Sequence, residues 1–587
     1  MKKVKGSLRQ SVVERQDSGM KDHLELDVAI VGGGTSGLYT AWRLTTGQKK
    51  GAPIPRVQVF EMSDRIAGRL DSVYLPGMEI AGELGGMRYM DAQEIVFSLI
   101  TKVFPKELPT IPFPMGDPAT HFFYARTQRS RANAWSEAQK KGEKFKTNYF
   151  LPDELLGWEA DQLFNKIIYD VMMGDPWFVE HYGSKVSNPS MYNYNFELTG
   201  RDWDDIKPQL VYTFNGPYQG MKVNDLGFWN VIKDQAGEEA YEYLSVAGGY
   251  YSNTPNWDAA EAFENMIGDF TNTGTDSSYK TIDGGYDLQA YAVANAYLAQ
   301  ADAKIWTCNQ LITFRKQPAG STHRYALDFY NIRSRKAWTV YANAIVLAMP
   351  RRSLELLDQD NFFFDPTQNP KLQQNIASVL IEPSFKLLMA FEYPWWKEDF
   401  GATSGESITD LPMRQCYYFG TDPNDSHSMF LSSYNDMRTV TFWGPLEPGR
   451  GHELFKPRAT KLASQEELDD YQDVQATKMM VDEVMEEVRE LHGIKAIPQP
   501  YVTWFKDWSK DPFGGGYHGW NAAVSVKHVM PYMRQPVASE AVHICGEAYS
   551  DQQGWVEGAY CVAERMLQEH FGLDWPTWLD PKYYLGW

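Results

Sequence analysis

The sequence predicts an α/β protein organised round a parallel sheet, with further domains attached. Three observations predict it. Residues 24–31 form a short apolar run, residues 36–44 carry a helical pattern, and three glycines (Gly32, Gly34 and Gly37) join them. A second apolar run, residues 56–60, ends in an acid, Glu61. Near the other end, residues 542–549 and 554–560 repeat the order of apolar strand, glycine turn and helix start. Strands buried on both faces of a parallel sheet read as near-continuous apolar runs, which is the pattern here.

A glycine triplet signals dinucleotide binding when it joins a strand to a helix. The glycines allow a tight turn, close backbone approach to a pyrophosphate, and close helix–strand packing. The helix start at Thr35 and Ser36 then offers free N–H groups to phosphate oxygens. Glu61 stands 24 residues beyond Gly37, against the usual spacing of about 20, so residues 47–55 read as a lengthened loop. An acid there accepts hydrogen bonds from ribose hydroxyls and repels a 2′-phosphate. A glycine-rich turn closed by a surface glutamate would explain the triplet alone, but not the strand, helix, second strand and acid together.

Bulk properties narrow the class. At 587 residues the chain exceeds one domain, and 43% hydrophobic with 14% aromatic residues describes a globular protein. A net charge of −20 argues against a nucleic-acid partner, which needs a basic surface. The four cysteines (Cys308, Cys416, Cys545 and Cys561) include no C-x-x-C pair and read as reduced core residues, which suits a cytoplasmic setting. Residues 1–22 are charged, lack the apolar segment of a secretion signal, and read as a mobile arm. No stretch is long enough to span a membrane.

Past Glu61 come Arg65, Gly68 and Arg69, then a segment reading Gly82-Glu83-Leu84-Gly85-Gly86-Met87-Arg88-Tyr89. These motifs resemble the flavin-dependent amine oxidase family, in particular its L-amino-acid oxidase branch. The usual pattern has two glycines before the second arginine; Ala67 replaces the first. The resemblance implies a non-covalent FAD, with Gly32, Gly34, Thr35, Ser36, Gly37, Glu61, Arg65, Gly68, Arg69, Gly86, Met87 and Arg88 at the cofactor. It also aims Arg88 at the substrate. A guanidinium suits bidentate binding of a carboxylate; a structural salt bridge, for instance to Glu83, is the other reading.

Four later segments extend the resemblance. Lys386 interrupts an apolar strand within Pro383-Ser-Phe-Lys386, and the family places a lysine there beside the flavin as a catalytic residue. Tyr434 matches a second hydrogen-bond donor to the substrate carboxylate, or is a packed core tyrosine. Residues 504–517 match an aromatic wall, with Trp504 and Trp520 as pocket-lining candidates. Gly516 stands where some members carry a flavin-bonding cysteine. The last block implies contacts from Gly546, Glu547, Gly554, Trp555 and Val556, with Gly554 and Trp555 also facing the substrate amine.

Residues 303–308, 311–315, 325–329, 338–341 and 344–348 read as strands, and residues 464–491 as a helix opened by a Ser464–Glu467 capping box. The implied architecture is a discontinuous Rossmann-like FAD-binding domain (23–95, 278–380 and 535–575), a mixed-sheet substrate domain (96–150 and 381–534), a helical domain (151–277) and a tail (576–587). The implied reaction is oxidative deamination of an L-amino acid to the 2-oxo acid, ammonia and hydrogen peroxide, with oxygen as acceptor. A basic substrate, L-arginine or L-lysine, is expected, and a homodimer or larger homo-oligomer. The alternatives are a broad-range or aromatic L-amino-acid oxidase, an amino-acid 2-monooxygenase, a polyamine or monoamine oxidase, and a silent flavoprotein acting as a binding partner.

Overall fold

The computed structural model describes residues 8–12, 23–47, 53–270, 279–424, 426–449, 451, 474–510 and 514–587. The first glycine motif lies where expected. The strand Leu24–Val31 runs parallel to Val57–Phe60 on one side and to Lys336–Leu347 on the other. From Val28 to Val31 its side chains alternate between two apolar cores, Val28 and Ile30 into one and Ala29 and Val31 into the other. Burial on both faces is why the run is apolar throughout.

The helix Thr35–Thr46 follows directly, with Leu38, Tyr39, Ala41 and Leu44 packed against the sheet. Gly37 is forced by that packing, because a Cβ there would lie 2.0 Å from the Gly32 carbonyl oxygen. Strands Ile305–Trp306, Tyr325–Asn331, Asn309–Lys316 and Val542–Ile544 complete the sheet, so it draws on three distant parts of the chain.

Two readings need correction here. Residues 338–341 and 344–348, read as separate strands, belong to one strand, Lys336–Leu347. Its first half pairs antiparallel with Tyr325–Asn331 and its end pairs parallel with Val542–Ile544. Residues 8–12, read as part of a mobile arm, are helical and docked. Val12 is buried in the sheet-facing core, and the Arg9 guanidinium pairs with Asp287. The helix read over 464–491 is described from Lys478 to His492, capped by the Thr477 hydroxyl; its Ser464–Glu467 box lies outside the described residues.

A second sheet has the order Val502–Asp507, Ser384–Phe391, Ser428–Asp436, Gln415–Thr421, Glu406–Thr409, Phe122–Ala125, Gln128–Arg131. Helices between Ala160 and Phe270 pack round a separate core that includes Leu163, Phe228 and Phe263. Among the described residues no helix is long and apolar enough to cross a membrane. The four cysteines are free and buried.

Candidate functional site

A cavity of about 290 Å³ runs between the two sheets from the first glycine turn to the last. Its walls include Gly32, Gly34, Thr35, Ser36, Glu61, Arg65, Gly68, Arg69, Gly86, Lys386, Tyr434, Gly546, Glu547, Gly554, Trp555 and Val556. Each is a residue singled out from sequence. Gly37 stands behind this wall as a packing residue, and Met87 is buried with its sulfur 3.6 Å from Lys386 Nζ.

The phosphate end is built from backbone. Helix Thr35–Thr46 has Gly34 as its cap residue, with no side-chain cap and no acid in its first turn. Its N–H groups and dipole therefore remain available to an anion. Gly34 and Gly68 approach each other so closely that a Cβ on Gly68 would sit 3.0 Å from the Gly34 Cα. Ala67, in place of the usual glycine, adopts a left-handed conformation with φ 78°. The Glu61 carboxylate stands at the end of its strand and accepts from the Gly33 N–H at 2.6 Å and from the Ser63 N–H and hydroxyl at 2.8 Å. Asn309, Gln310 and Leu311 face it across the cavity end; no motif marked them.

Glu547 ties the other end together. It accepts from Arg69 at 2.8 Å, from the His518 ring at 2.9 Å, and from the N–H groups of His518 and Gly554. Burial pushes this carboxyl up, but Arg69, His518 and the Gly554 N–H outweigh it and hold it down at about 2. Its oxygens are thus committed to protein donors, and it acts on the cavity by fixing Arg69 and the Gly554 turn. Arg65 wraps its own turn, donating to the carbonyls of Ile66, Gly68 and Leu70.

Lys386 is buried in the Ser384–Phe391 strand, directly across from Tyr434. The register places its ammonium 4.2 Å from the Tyr434 ring centre. It donates to the Gly85 carbonyl at 2.6 Å and the Glu83 carbonyl at 3.3 Å. Burial pulls it down to about 7, with Glu83 opposing and Arg88 reinforcing. The Glu83 carboxyl is engaged elsewhere, by the Ser72 hydroxyl and the Tyr286 N–H. That removes it as the salt-bridge partner of Arg88.

Arg88 is half-buried, and its guanidinium lies between the rings of Tyr279, at 4.0 Å, and Phe113, at 5.4 Å. These plates are delivered together: Phe113 and Tyr279 end the paired strands Thr110–Pro112 and Lys280–Ile282, and the Phe113 N–H bonds the Tyr279 carbonyl. Among the described residues no carboxylate lies within ion-pairing distance of Arg88; its hydrogen-bond acceptor is the Met115 sulfur at 3.6 Å. Tyr279 stacks on Trp555, Tyr417 meets Phe113 edge to face, and Tyr250 bridges Tyr417 and Tyr434. Tyr250, Tyr279 and Phe113 carried no recognisable motif.

Two candidates, like Arg88, stand outside the walls of this cavity. Trp520 is 1% exposed in the core under the parallel sheet, its indole donating to the Ser550 carbonyl. Trp504 packs against the core that Leu388 and Met429 share. Neither lines the cavity; Trp508 and Tyr517 from the same segments do. A side chain at Gly516 has no room, since its Cβ would lie 2.0 Å from the Glu382 carbonyl oxygen.

The profile of flavin containing amine oxidoreductases matches residues 35–566. The chain belongs to that family. Aplysianin-A from Aplysia kurodai is 22% identical over 93% of this chain and 90% of its own length. Achacin from Lissachatina fulica is 21% identical over 96% and 97%. An L-amino-acid oxidase from Siganus canaliculatus is 23% identical over 92% and 84%. Among solved structures, putrescine oxidase bound to putrescine superposes with a TM-score of 0.58 at 16% identity, covering 94% of this chain and all of that one. The protein is an FAD-dependent oxidoreductase with the fold of the flavin amine oxidases. The cavity fits that cofactor: an uncapped helix start, a glycine cradle and a strand-end acid lie at one end, and Lys386 and the Gly554 turn at the other.

Proposed function

We propose that this flavoenzyme is an L-amino-acid oxidase, converting an L-amino acid, oxygen and water to the 2-oxo acid, ammonia and hydrogen peroxide. The observation that carries the reading is Arg88, a half-buried cation with no carboxylate of the described residues within ion-pairing distance, held between the rings of Phe113 and Tyr279, the latter stacked on Trp555. An unpaired cation in such a place is costly unless its partner arrives with the ligand. A substrate carboxylate supplies that partner and makes a bidentate pair. The named oxidase relative from Siganus canaliculatus supports the same assignment.

Bound FAD supplies a hydride acceptor for the substrate Cα. The chain supplies orientation: Arg88 holds the carboxylate, and the Trp555 and Tyr434 rings confine the amine-bearing carbon beside Lys386. Lys386, which burial brings down to about 7, can hold or release a proton at its Nζ near neutral pH.

For the side chain we propose a basic one, arginine or lysine. Glu406 lies across from Tyr417 on the neighbouring strand; its charge helps raise Arg88, but it forms no close ion pair with a cation of the described residues. A cationic side chain would meet this carboxylate and the tyrosine faces around it.

The deciding experiment is anaerobic flavin bleaching by L-arginine and, separately, by agmatine, its decarboxylated analogue. Bleaching by arginine alone is expected. Bleaching by agmatine would place the enzyme among the amine oxidases and remove the role of Arg88. Bleaching by L-leucine but not L-arginine would retain the α-carboxylate requirement and discard the basic side chain. Equal yields of ammonia and peroxide distinguish the oxidase from a 2-monooxygenase, which yields an amide.

A further inference from the structure

Glu557 is the second residue of the helix Val556–Phe571, two positions beyond Trp555. It is 0% exposed. Burying a carboxylate is costly unless its oxygens are fully bonded, and here they are. It accepts from the Ile95 N–H at 2.7 Å, the Val96 N–H at 2.8 Å and the Tyr583 hydroxyl at 2.8 Å. No other role in the site uses it.

Those two N–H groups open the helix Glu94–Ser98, whose cap residue Gln93 gives it no side-chain cap. Helix starts leave such groups without partners, and a carboxylate satisfies both the donors and the dipole. Glu557 is thus the cap of a helix 461 residues away in sequence. Gln93 is occupied one step back: its side chain accepts from the Met90 N–H at 3.1 Å, closing a tight turn onto the segment that carries Arg88. On its far side that segment is pinned by Tyr89, which exchanges backbone hydrogen bonds with Lys280. The Arg88 backbone therefore has two anchors. One is the strand that also delivers Tyr279; the other runs through Gln93 and the short helix to Glu557.

We propose that Glu557 is a positioning residue for substrate binding: from the Gly554–Trp555–Val556 turn it fixes the backbone carrying Arg88, and so sets where the substrate carboxylate is held relative to that turn. The inference rests on the reading of Arg88 as the carboxylate clamp. A glutamate is suited to this because each oxygen faces a donor. Glutamine would turn its amide N–H₂ towards either the Ile95 or the Val96 N–H, and the short helix would move away.

The test is a double-mutant cycle in the flavin-loaded full-length enzyme between Glu557→Gln and Arg88→Lys. It reads the dissociation constant of benzoate, an amine-free carboxylate, by perturbation of the flavin spectrum. The KM for L-amino acid is read alongside. Glu557→Gln is expected to weaken benzoate about tenfold in the wild-type background and less than twofold in the Arg88→Lys background, since it acts through the guanidinium. KM should rise with little change in kcat. Equal losses in both backgrounds, or unchanged benzoate binding, would overturn the proposal. If Arg88→Lys itself leaves benzoate binding unchanged, the clamp reading fails instead, and the two failures are distinct.

Should Glu557→Gln not retain flavin, Tyr583→Phe removes a single hydrogen bond from the same carboxylate. It is expected to weaken benzoate two- to threefold, again only when Arg88 is present. Loss of flavin from both variants would make Glu557 a folding residue and overturn the proposal.

Discussion

Arg69 donates a 2.8 Å hydrogen bond to Glu547 across 478 residues of sequence, and so joins the first cofactor motif to the last. Glu547 is buried while the Arg69 side chain stays 30% exposed, and Glu547 has three further donors from His518 and Gly554. Breaking such a pair from one side strands the other charge, at a cost of about 3 kcal/mol. Glu547→Gln should lower the stability of the holoenzyme by about that amount in denaturant titration and loosen its hold on flavin. Its carboxyl is held at about 2, below the ordinary value of about 4.3. The stabilisation is therefore fully present above about 4.3 and lost as pH falls towards 2. An unchanged denaturation midpoint in the variant would remove this assignment.

Arg88→Lys replaces a planar fork with a point charge between the Phe113 and Tyr279 rings. The lost bidentate geometry should raise KM for the amino acid roughly 10- to 100-fold, equivalent to about 1.5–3 kcal/mol. Steady-state kinetics with peroxide detection checks it; a KM within twofold of wild type would count against the clamp.

Lys386→Met removes an ammonium that burial brings down to about 7. Reaction of the reduced enzyme with oxygen, followed by stopped flow, should slow at least about tenfold, in the range of a lost general acid–base group. The variant should also lose any pH dependence near 7. Anaerobic reduction by substrate should change much less. If the oxygen reaction keeps its rate and its pH profile, Lys386 has only a packing role.

Ala67 sits at φ 78° between Gly33, whose carbonyl it bonds, and Gly68. A left-handed conformation costs a non-glycine residue about 1 kcal/mol. Ala67→Gly should therefore stabilise the protein by roughly that amount, less the entropy that glycine loses on folding. Denaturant titration would sink the idea if the variant were less stable than wild type.

Glu487 is buried with one oxygen bonded to the Met413 N–H at 2.7 Å and the other without a partner. Burial raises its carboxyl to about 8. A raised acid binds a proton in the folded state that the unfolded chain has already lost. Its contribution is thus intact below about 4.3 and declines as pH rises through 8. Glu487→Gln should raise the melting temperature at pH 8.5 and change it little at pH 5. Equal shifts at both values would refute the assignment.

The cofactor half of this site was legible because its chemistry is local. Gly32 and Gly68 each take a positive φ within their own turns, and Glu61 stands at a strand end. The helix start at Gly554 is local in the same way. Trp520 and Trp504 stand off the cavity wall because an aromatic in a glycine-rich segment satisfies a core as well as a cavity. The direction each side chain takes depends on which sheet face it meets. The docked Val12 and Arg9 escaped notice for a related reason, since a short charged segment gains its order from Asp287 and a distant core.

What the sequence by itself determined was the presence of a flavin site, with Lys386 on its wall. That much rests on short-range rules of turns, helix starts and charge in an apolar strand. Tertiary structure alone decided what surrounds Arg88. Phe113, Tyr250, Tyr279 and Tyr417 come from four separate segments, and their convergence follows from strand pairing and loop docking. The same holds for Glu557, whose carboxylate reads as an ordinary first-turn acid until the fold brings the N–H groups of Ile95 and Val96 against it. Long-range register, which no local pattern encodes, is what turns those residues into a binding site.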